Sequence, residues 1–170
     1  MRPGAATRNA VRAEVLGALA GGARPIRQHS ATLVVETRGA GFYDVTADIA
    51  RWLQDIGANE GVVTLFIRHT SASLVIQENA DPDVRRDLAD ALARLAPEGA
   101  GYRHTMEGPD DMPAHIKSMV TPVSIAIPLL DGAMRLGTWQ GIFVVEHRSA
   151  RCVREVALNY TGSDNRGSEN

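Results

Sequence analysis

Short apolar runs and two stretches of helical period set the architecture of this chain. From Ser30 to Arg38, S-A-T-L-V-V-E-T-R is rich in β-branched residues and is closed by Gly39–Gly41, which predicts a strand and a turn. Phe42–Val45 predicts a second short strand. The period then changes: Ile49, Trp52, Leu53 and Ile56 recur at i, i+3, i+4 and i+7 and share one face of a helix. Thr46 or Asp48 is the expected N-cap, Gly57 the stop, and Trp52 a core residue. Gly61–His69 and Ala72–Gln77 read as strands. Asp81-Pro82 starts a second helix, with Asp81 as N-cap and Pro82 at the first helical position. Val84, Leu88, Ala91, Leu92 and Leu95 are its expected buried stripe, and Pro97–Gly101 breaks the chain.

Tyr102–Pro113 shows no period and carries many polar groups, as a long functional loop would. Strands are expected again at Met119–Pro128, Ala133–Leu136, Ile142–Arg148 and Cys152–Tyr160. Seven or eight strands around two helices, joined by hairpin-length links, predict a single, mainly antiparallel α+β domain of β-sandwich-like form. The strand order excludes a β/α barrel. The domain is expected over residues 29–162, preceded by an Ala/Gly/Arg-rich extension over 1–28 and followed by a flexible tail over 163–170.

A net charge of -2 gives no general drive toward nucleic acid or anionic membrane. Seventeen of the 18 cationic residues are arginine, and the one lysine, Lys117, stands two residues after His115. The single cysteine, Cys152, excludes an internal disulfide and suits a reducing, cytoplasmic setting. No apolar run approaches the roughly 20 residues that span a bilayer.

Chemistry concentrates in two stretches. In T-L-F-I-R-H-T-S-A-S-L-V-I-Q-E-N-A-D-P-D, apolar runs flank His69, the hydroxyls of Thr70, Ser71 and Ser73, and then Glu78, Asn79 and Asp81. In Y-R-H-T-M-E-G-P-D-D-M-P-A-H-I-K lie Arg103, His104, His115 and Lys117. Three imidazoles with an open fourth position form the donor set of catalytic zinc sites, so His69, His104 and His115 are candidate metal ligands. The alternative is polar surface. The hydroxyls suit phosphate oxygens or simple turn capping. Glu78 is the candidate general acid/base not absorbed by the helix start. Glu146 alternates with His147 along a strand; if Ile142 and Val144 face inward, so does Glu146, as a second acid/base candidate or as the partner of Arg148 or Arg151. Trp139, in a Gly-flanked turn beside Gln140, could stack on a ring or cover a strand edge.

R-H-T-S-A-S-L, Q-E-N-A-D-P-D-V-R-R-D, Y-R-H-T-M-E-G-P-D-D-M-P-A-H-I-K-S, L-G-T-W-Q-G-I and V-E-H-R, in this order, resemble the YjbQ-like family, over about residues 29–162. The resemblance implies a homotrimer of compact α+β subunits. It also implies a divalent metal, zinc or magnesium, near His69, His104 and His115. Some members are classed as secondary thiamine-phosphate synthases, which join a pyrimidine diphosphate to a thiazole phosphate and release pyrophosphate. For that reaction Thr70, Ser71, Ser73, Asn79, Arg103, Lys117, Trp139 and Gln140 are the expected substrate contacts, with Arg68 as a further cation, and Glu78 or Glu146 the acid/base. The rival expectations are another metal-assisted hydrolase or lyase acting on a phosphorylated metabolite, and a non-catalytic trimer that binds metal or a phospho-ligand.

Overall fold

The computed structural model describes residues 26–164. The chain runs β1 (Arg27–Thr37), β2 (Gly41–Asp44), α1 (Thr46–Asp55), β3 (Ala58–Ile67), β4 (Ala72–Glu78), α2 (Pro82–Leu95), α3 (Asp111–Val120), β5 (Ser124–Leu130), β6 (Ala133–Met134), β7 (Gln140–Glu146) and β8 (Cys152–Asp164). One sheet has the order β1-β8-β3-β5-β6 and the other β2-β7-β4. All their pairings are antiparallel.

The expected α+β class stands, with three helices among the described residues where the sequence predicts two. The third, α3, occupies ground read as the end of a loop and the start of a strand. Pro113 misleads there: it lies in the first turn of α3, where its missing N–H has no intrahelical partner to lose. The expected strand from Met119 therefore starts only at Ser124, and the one expected over Ala133–Leu136 shortens to two residues. The domain bounds also move outward at both ends. β1 takes in Arg27 and Gln28, and β8 runs through Ser163 and Asp164. The rest of the extension, residues 1–25, and residues 165–170 of the tail lie outside the described residues.

Alternation sorts the side chains as a half-buried sheet requires. On β8, Arg154, Val156, Leu158 and Tyr160 point into the layer between the sheets, and Val63, Leu65 and Ile67 of β3 meet them. Leu74, Ile142 and Val144 supply the opposite face, and α1 adds Ile49 and Leu53. Trp52 packs against this core as expected. α1 starts differently from the prediction. Its N-cap position is Val45; Asp44 Oδ1 accepts the Thr46 N–H at 2.9 Å, and Thr46 Oγ1 accepts the Ile142 N–H at 2.8 Å. Gly57, at φ +70, ends it as predicted. Asp81 caps α2 by accepting the Asp83 N–H at 2.8 Å.

β7 is buried on both faces. Its second face, with Phe143, Val145 and His147, lies under α2 and α3, and Arg85 of α2 stacks on the Phe143 ring at 5.6 Å. The stripe expected on α2 is nevertheless not buried. Val84, Leu88 and Leu92 are half-covered, Ala91 is exposed, and Leu95 is 57% exposed. Periodicity found the apolar face, but no element among the described residues covers its far end.

The polar centre of this apolar layer is Glu146, 1% exposed. It faces inward with Ile142 and Val144, and its partner comes from the other sheet: Arg154 Nε donates to Oε2 at 2.7 Å and Nη2 to Oε1 at 2.6 Å. Thr37 Oγ1 (2.8 Å) and the Arg148 N–H (2.9 Å) complete the shell. Arg148 gives only its backbone, and Arg151 is not the partner. Removing one member of a buried pair strands the other charge, at a cost of about 3–5 kcal/mol. Arg154→Met is therefore expected to lower the unfolding free energy by about that amount in urea titrations. Glu146→Leu combined with Arg154→Met is expected to recover most of the loss.

Candidate metal centre

α3 and the segment before it assemble a compact donor cluster. Asp111 is the first residue of α3 and His115 lies one turn later, so both side chains fall on one helix face. Asp111 Oδ2 is 3.2 Å from His115 Nε2 and 2.7 Å from His104 Nε2, and the two imidazole rings are 5.7 Å apart. One ligand atom from each of the three residues lies within 4.8 Å of the others. Asp111 itself is 1% exposed, and its second oxygen is held by Arg148 Nη1.

The neighbours fix this cluster. Arg148 also reaches Asp110 Oδ2 (3.3 Å) and the Glu107 carbonyl (2.7 Å), which ties the loop before α3 to the end of β7. Burial alone would raise the Asp110 pKa, but hydrogen bonds from the Ser149 N–H and hydroxyl, then from Arg148, outweigh it and pull it to about 2. His115 Nδ1 is 3.1 Å from the Thr70 carbonyl, an acceptor only, so Nδ1 carries a proton. In the neutral ring Nε2 is then a lone pair, and it faces a carboxylate oxygen. Two lone pairs at that distance repel unless a cation lies between them, either a proton or a metal. Two imidazoles and a carboxylate with open positions are a metal-ligand set, and a carbonyl holding the far ring nitrogen is the usual second layer of such sites.

His69, the third expected ligand, lines the same groove as His115 but is not among the three residues whose donor atoms gather in this cluster. Its Nε2 accepts the Glu155 N–H at 2.9 Å. Burial, then the charge of Arg154, holds its pKa below the usual histidine value. Arg68, the further cation, bonds Glu155 Oε2 at 2.8 Å through Nη1. Thr70 is exposed, and Ser71 is half-buried with its hydroxyl taking a bond from Arg154 Nη2 at 3.1 Å. Ser73 is fully buried and bonds His147 Nε2 at 2.9 Å, so the substrate contact expected of it is corrected to a structural one. Glu146 is corrected likewise. Burial would raise its pKa, but hydrogen bonds, Arg154 first, hold it low, so it is an ionised strut with both oxygens taken and not an acid/base. Arg103 is exposed in the loop beside His104, and Lys117 is half-buried beside His147.

The remaining expected residues gather elsewhere. β4 pairs with β7 so that Ala72 meets Glu146 and Glu78 meets Gln140. Six residues of strand, roughly 20 Å, therefore separate Glu78 from the metal-centre end. Asn79, whose N–H bonds the Trp139 carbonyl at 3.0 Å, Gln140 and the 63% exposed Trp139 are at the Glu78 end. Within one subunit the sequence-predicted site is thus two groups and not one. The sequence reading missed Asp111. Its D-x-x-x-H spacing to His115 was available as a signal, and the assumption of a loop concealed it.

Residues 31–163 match the family model described as UPF0047 protein YjbQ-like. The chain belongs to this family. A UPF0047 protein of Synechocystis sp. is 50% identical over 141 residues, covering 82% of this chain and 96% of its own. The YjbQ protein of Escherichia coli O157:H7 is 43% identical over 118 residues, covering 69% and 86%. Among solved structures, a YjbQ/UPF0047 protein of Clostridium acetobutylicum superposes with a TM-score of 0.71 at 33% identity, covering 76% of this chain and 98% of its own. The YjbQ-like fold thus accounts for nearly all of the described residues. No helix among them is long and apolar enough to cross a membrane.

His147 provides a test of the buried polar layer next to the centre. Burial, then the charge of Lys117, pushes its pKa to about 4, so the folded protein keeps it neutral while the unfolded chain protonates it below pH ~6.5. A lowered histidine pKa means that stability rises with pH between about 4 and 6.5. The contribution of one proton is about 1.4 kcal/mol per pH unit. Urea unfolding of metal-free protein across this window should show that slope, and His147→Gln should flatten it by about one proton.

Proposed function

We propose that this YjbQ-like protein is a metal-dependent enzyme acting on a phosphorylated small metabolite, with His104, Asp111 and His115 as the metal ligands. The observation that carries the reading is the convergence of His104 Nε2 and His115 Nε2 on Asp111 Oδ2, with Nδ1 of His115 anchored on the Thr70 carbonyl. Two imidazoles and one carboxylate suit zinc better than magnesium, which prefers oxygen donors throughout. A divalent cation bound there would polarise phosphoryl oxygens and neutralise the charge of a departing diphosphate.

The reaction proposed is of the thiamine-phosphate synthase kind, the joining of a pyrimidine diphosphate to a thiazole phosphate with release of pyrophosphate. Support comes from what surrounds the centre. His115 also lines an open groove of about 800 Å³, whose walls include Arg68, His69, Thr70 and Ser71. Neither of the two carboxylates expected to do acid/base work stands free beside the centre, since Glu146 is ion-paired and Glu78 lies at the far end of β4. A reaction driven by leaving-group stabilisation needs no such base. Arg148 fixes Asp111, and the Thr70 carbonyl fixes the His115 tautomer, so both ligands are held before substrate arrives. Hydrolysis of a phosphorylated metabolite at the same centre is the second reading, favoured by the open positions of the ligand set.

We also infer that the enzyme works as a homotrimer. The uncovered end of α2 at Leu95, and Met119 (79% exposed), Val120 (51%) and Phe66 (48%), are apolar surface that a lone subunit leaves in water. Light scattering is expected to give three times the chain mass, and a monomer would refute this assembly. For the metal, protein purified without a tag should contain near-stoichiometric zinc, and His104→Ala or Asp111→Asn should lower it by at least roughly tenfold. Pyrophosphate release from the pyrimidine diphosphate and thiazole phosphate should fall with it. Metal retention with no release of pyrophosphate or inorganic phosphate from any substrate would leave a binding protein in place of an enzyme.

A further inference from the structure

His69 lines the groove yet is already committed at one ring nitrogen. An N–H is accepted only by a lone pair, so the bond from the Glu155 backbone to Nε2 places the proton of the neutral ring on Nδ1. Nε2 cannot bind a cation without giving up that bond, and Nδ1 has no lone pair to offer. Among the described residues no protein group takes the Nδ1–H, and Nδ1 is not one of the polar atoms sealed away without a partner. It is a donor facing solvent from the wall of the groove.

Its neighbours extend the same chemistry. Arg68 spends one N–H on Glu155 Oε2 and keeps the rest of its guanidinium donors. Thr70 is exposed and its carbonyl, not its hydroxyl, holds His115. Three donors of different geometry (a ring N–H, a guanidinium and a hydroxyl) suit a tetrahedral oxyanion better than a planar carboxylate. The other wall is apolar, with Phe66, Met119 and Val123 at 48%, 79% and 39% exposure.

We propose that His69 is a substrate-recognition residue, not a metal ligand. It donates Nδ1–H to a phosphate oxygen of a ligand whose uncharged part lies along Phe66, Met119 and Val123. The Glu155 N–H is the latch that keeps the ring in the donating tautomer. The assignment rests on the metal-centre reading only for the reaction it serves, because the phosphate contact itself needs no metal.

The test uses inorganic phosphate as the probe, on metal-free and zinc-loaded full-length protein. Ring nitrogen-15 NMR of the wild type should show His69 as the Nδ1–H tautomer, with its signals moving on phosphate addition. His69→Gln offers a carbonyl to the Glu155 N–H but no donor at the δ position. It should keep wild-type zinc content and weaken phosphate binding by roughly tenfold or more. His69→Asn, which retains an amide N–H near the δ position, should bind phosphate better than His69→Gln. An Nε2–H tautomer, unchanged phosphate affinity in His69→Gln, or loss of zinc in that variant as severe as in His104→Ala would each overturn the assignment. Absence of zinc from wild-type protein would refute the metal reading alone, since the metal-free titration still decides the role of His69.

Discussion

The ion pair between Glu146 and Arg154 is the constraint around which this end of the molecule is built. It is the point where the two sheets meet through charge and not through hydrocarbon, and each partner is fixed by further bonds. Arg154 Nη2 continues past Glu146 to the Ser71 hydroxyl, and the Ser71 carbonyl also accepts the His147 N–H at 3.3 Å. The link between β3 and β4 is thereby held from below. Along that link, His69 is bound by the Glu155 backbone and Thr70 by His115. A short connection that would otherwise be mobile becomes a rigid wall, with its functional groups aimed by bonds to structure beneath them. Pairs of this sort often add little net stability but penalise any arrangement that breaks them. Here that penalty falls on displacement of the wall.

The second anchoring point is Arg148. It stands just beyond β7, and its guanidinium gathers Asp110, Asp111 and the Glu107 carbonyl, so the start of α3 docks onto the strand that also carries Glu146. The two arginines act in series: Arg154 positions the loop that supports His115 from one side, and Arg148 positions the carboxylate that meets it from the other. The proposed metal centre lies between elements that are each tied to the end of β7. Its geometry is set by the fold and not by the ligand. At the other end of the same strand pair, Glu78, Asn79, Trp139 and Gln140 form a separate group, six residues of strand away from the centre.

Much of this was legible in the sequence, and the failures have particular causes. The strands, the α2 start at Asp81-Pro82 and the inward aim of Glu146 followed from alternation and capping rules, which act locally. The partner of Glu146 was not legible, because Arg154 meets it only through the packing of two sheets. α3 was missed because Pro113 and a polar run look like a loop, although a proline in the first turn costs a helix nothing. With α3 went Asp111, the carboxylate that joins His104 to His115. His69 was grouped with the other two on residue type and on the family resemblance, whereas the backbone N–H that its Nε2 accepts comes from Glu155 of β8 and shows only in the packing. The α2 stripe failed for a different reason: a period reports which face is apolar, not what covers it. Similarity over residues 31–163 establishes the family and its fold, while the residue roles rest on this geometry.

The most direct test of the central claim is anomalous X-ray diffraction from zinc-equilibrated crystals, recorded on both sides of the zinc absorption edge. The account predicts one strong peak per subunit, bonded to His104 Nε2, Asp111 and His115 Nε2 at about 2.0–2.2 Å, with His69 still accepting from Glu155 and outside the coordination sphere. A peak coordinated by His69, or full diffraction data with no zinc peak at the cluster, would contradict it.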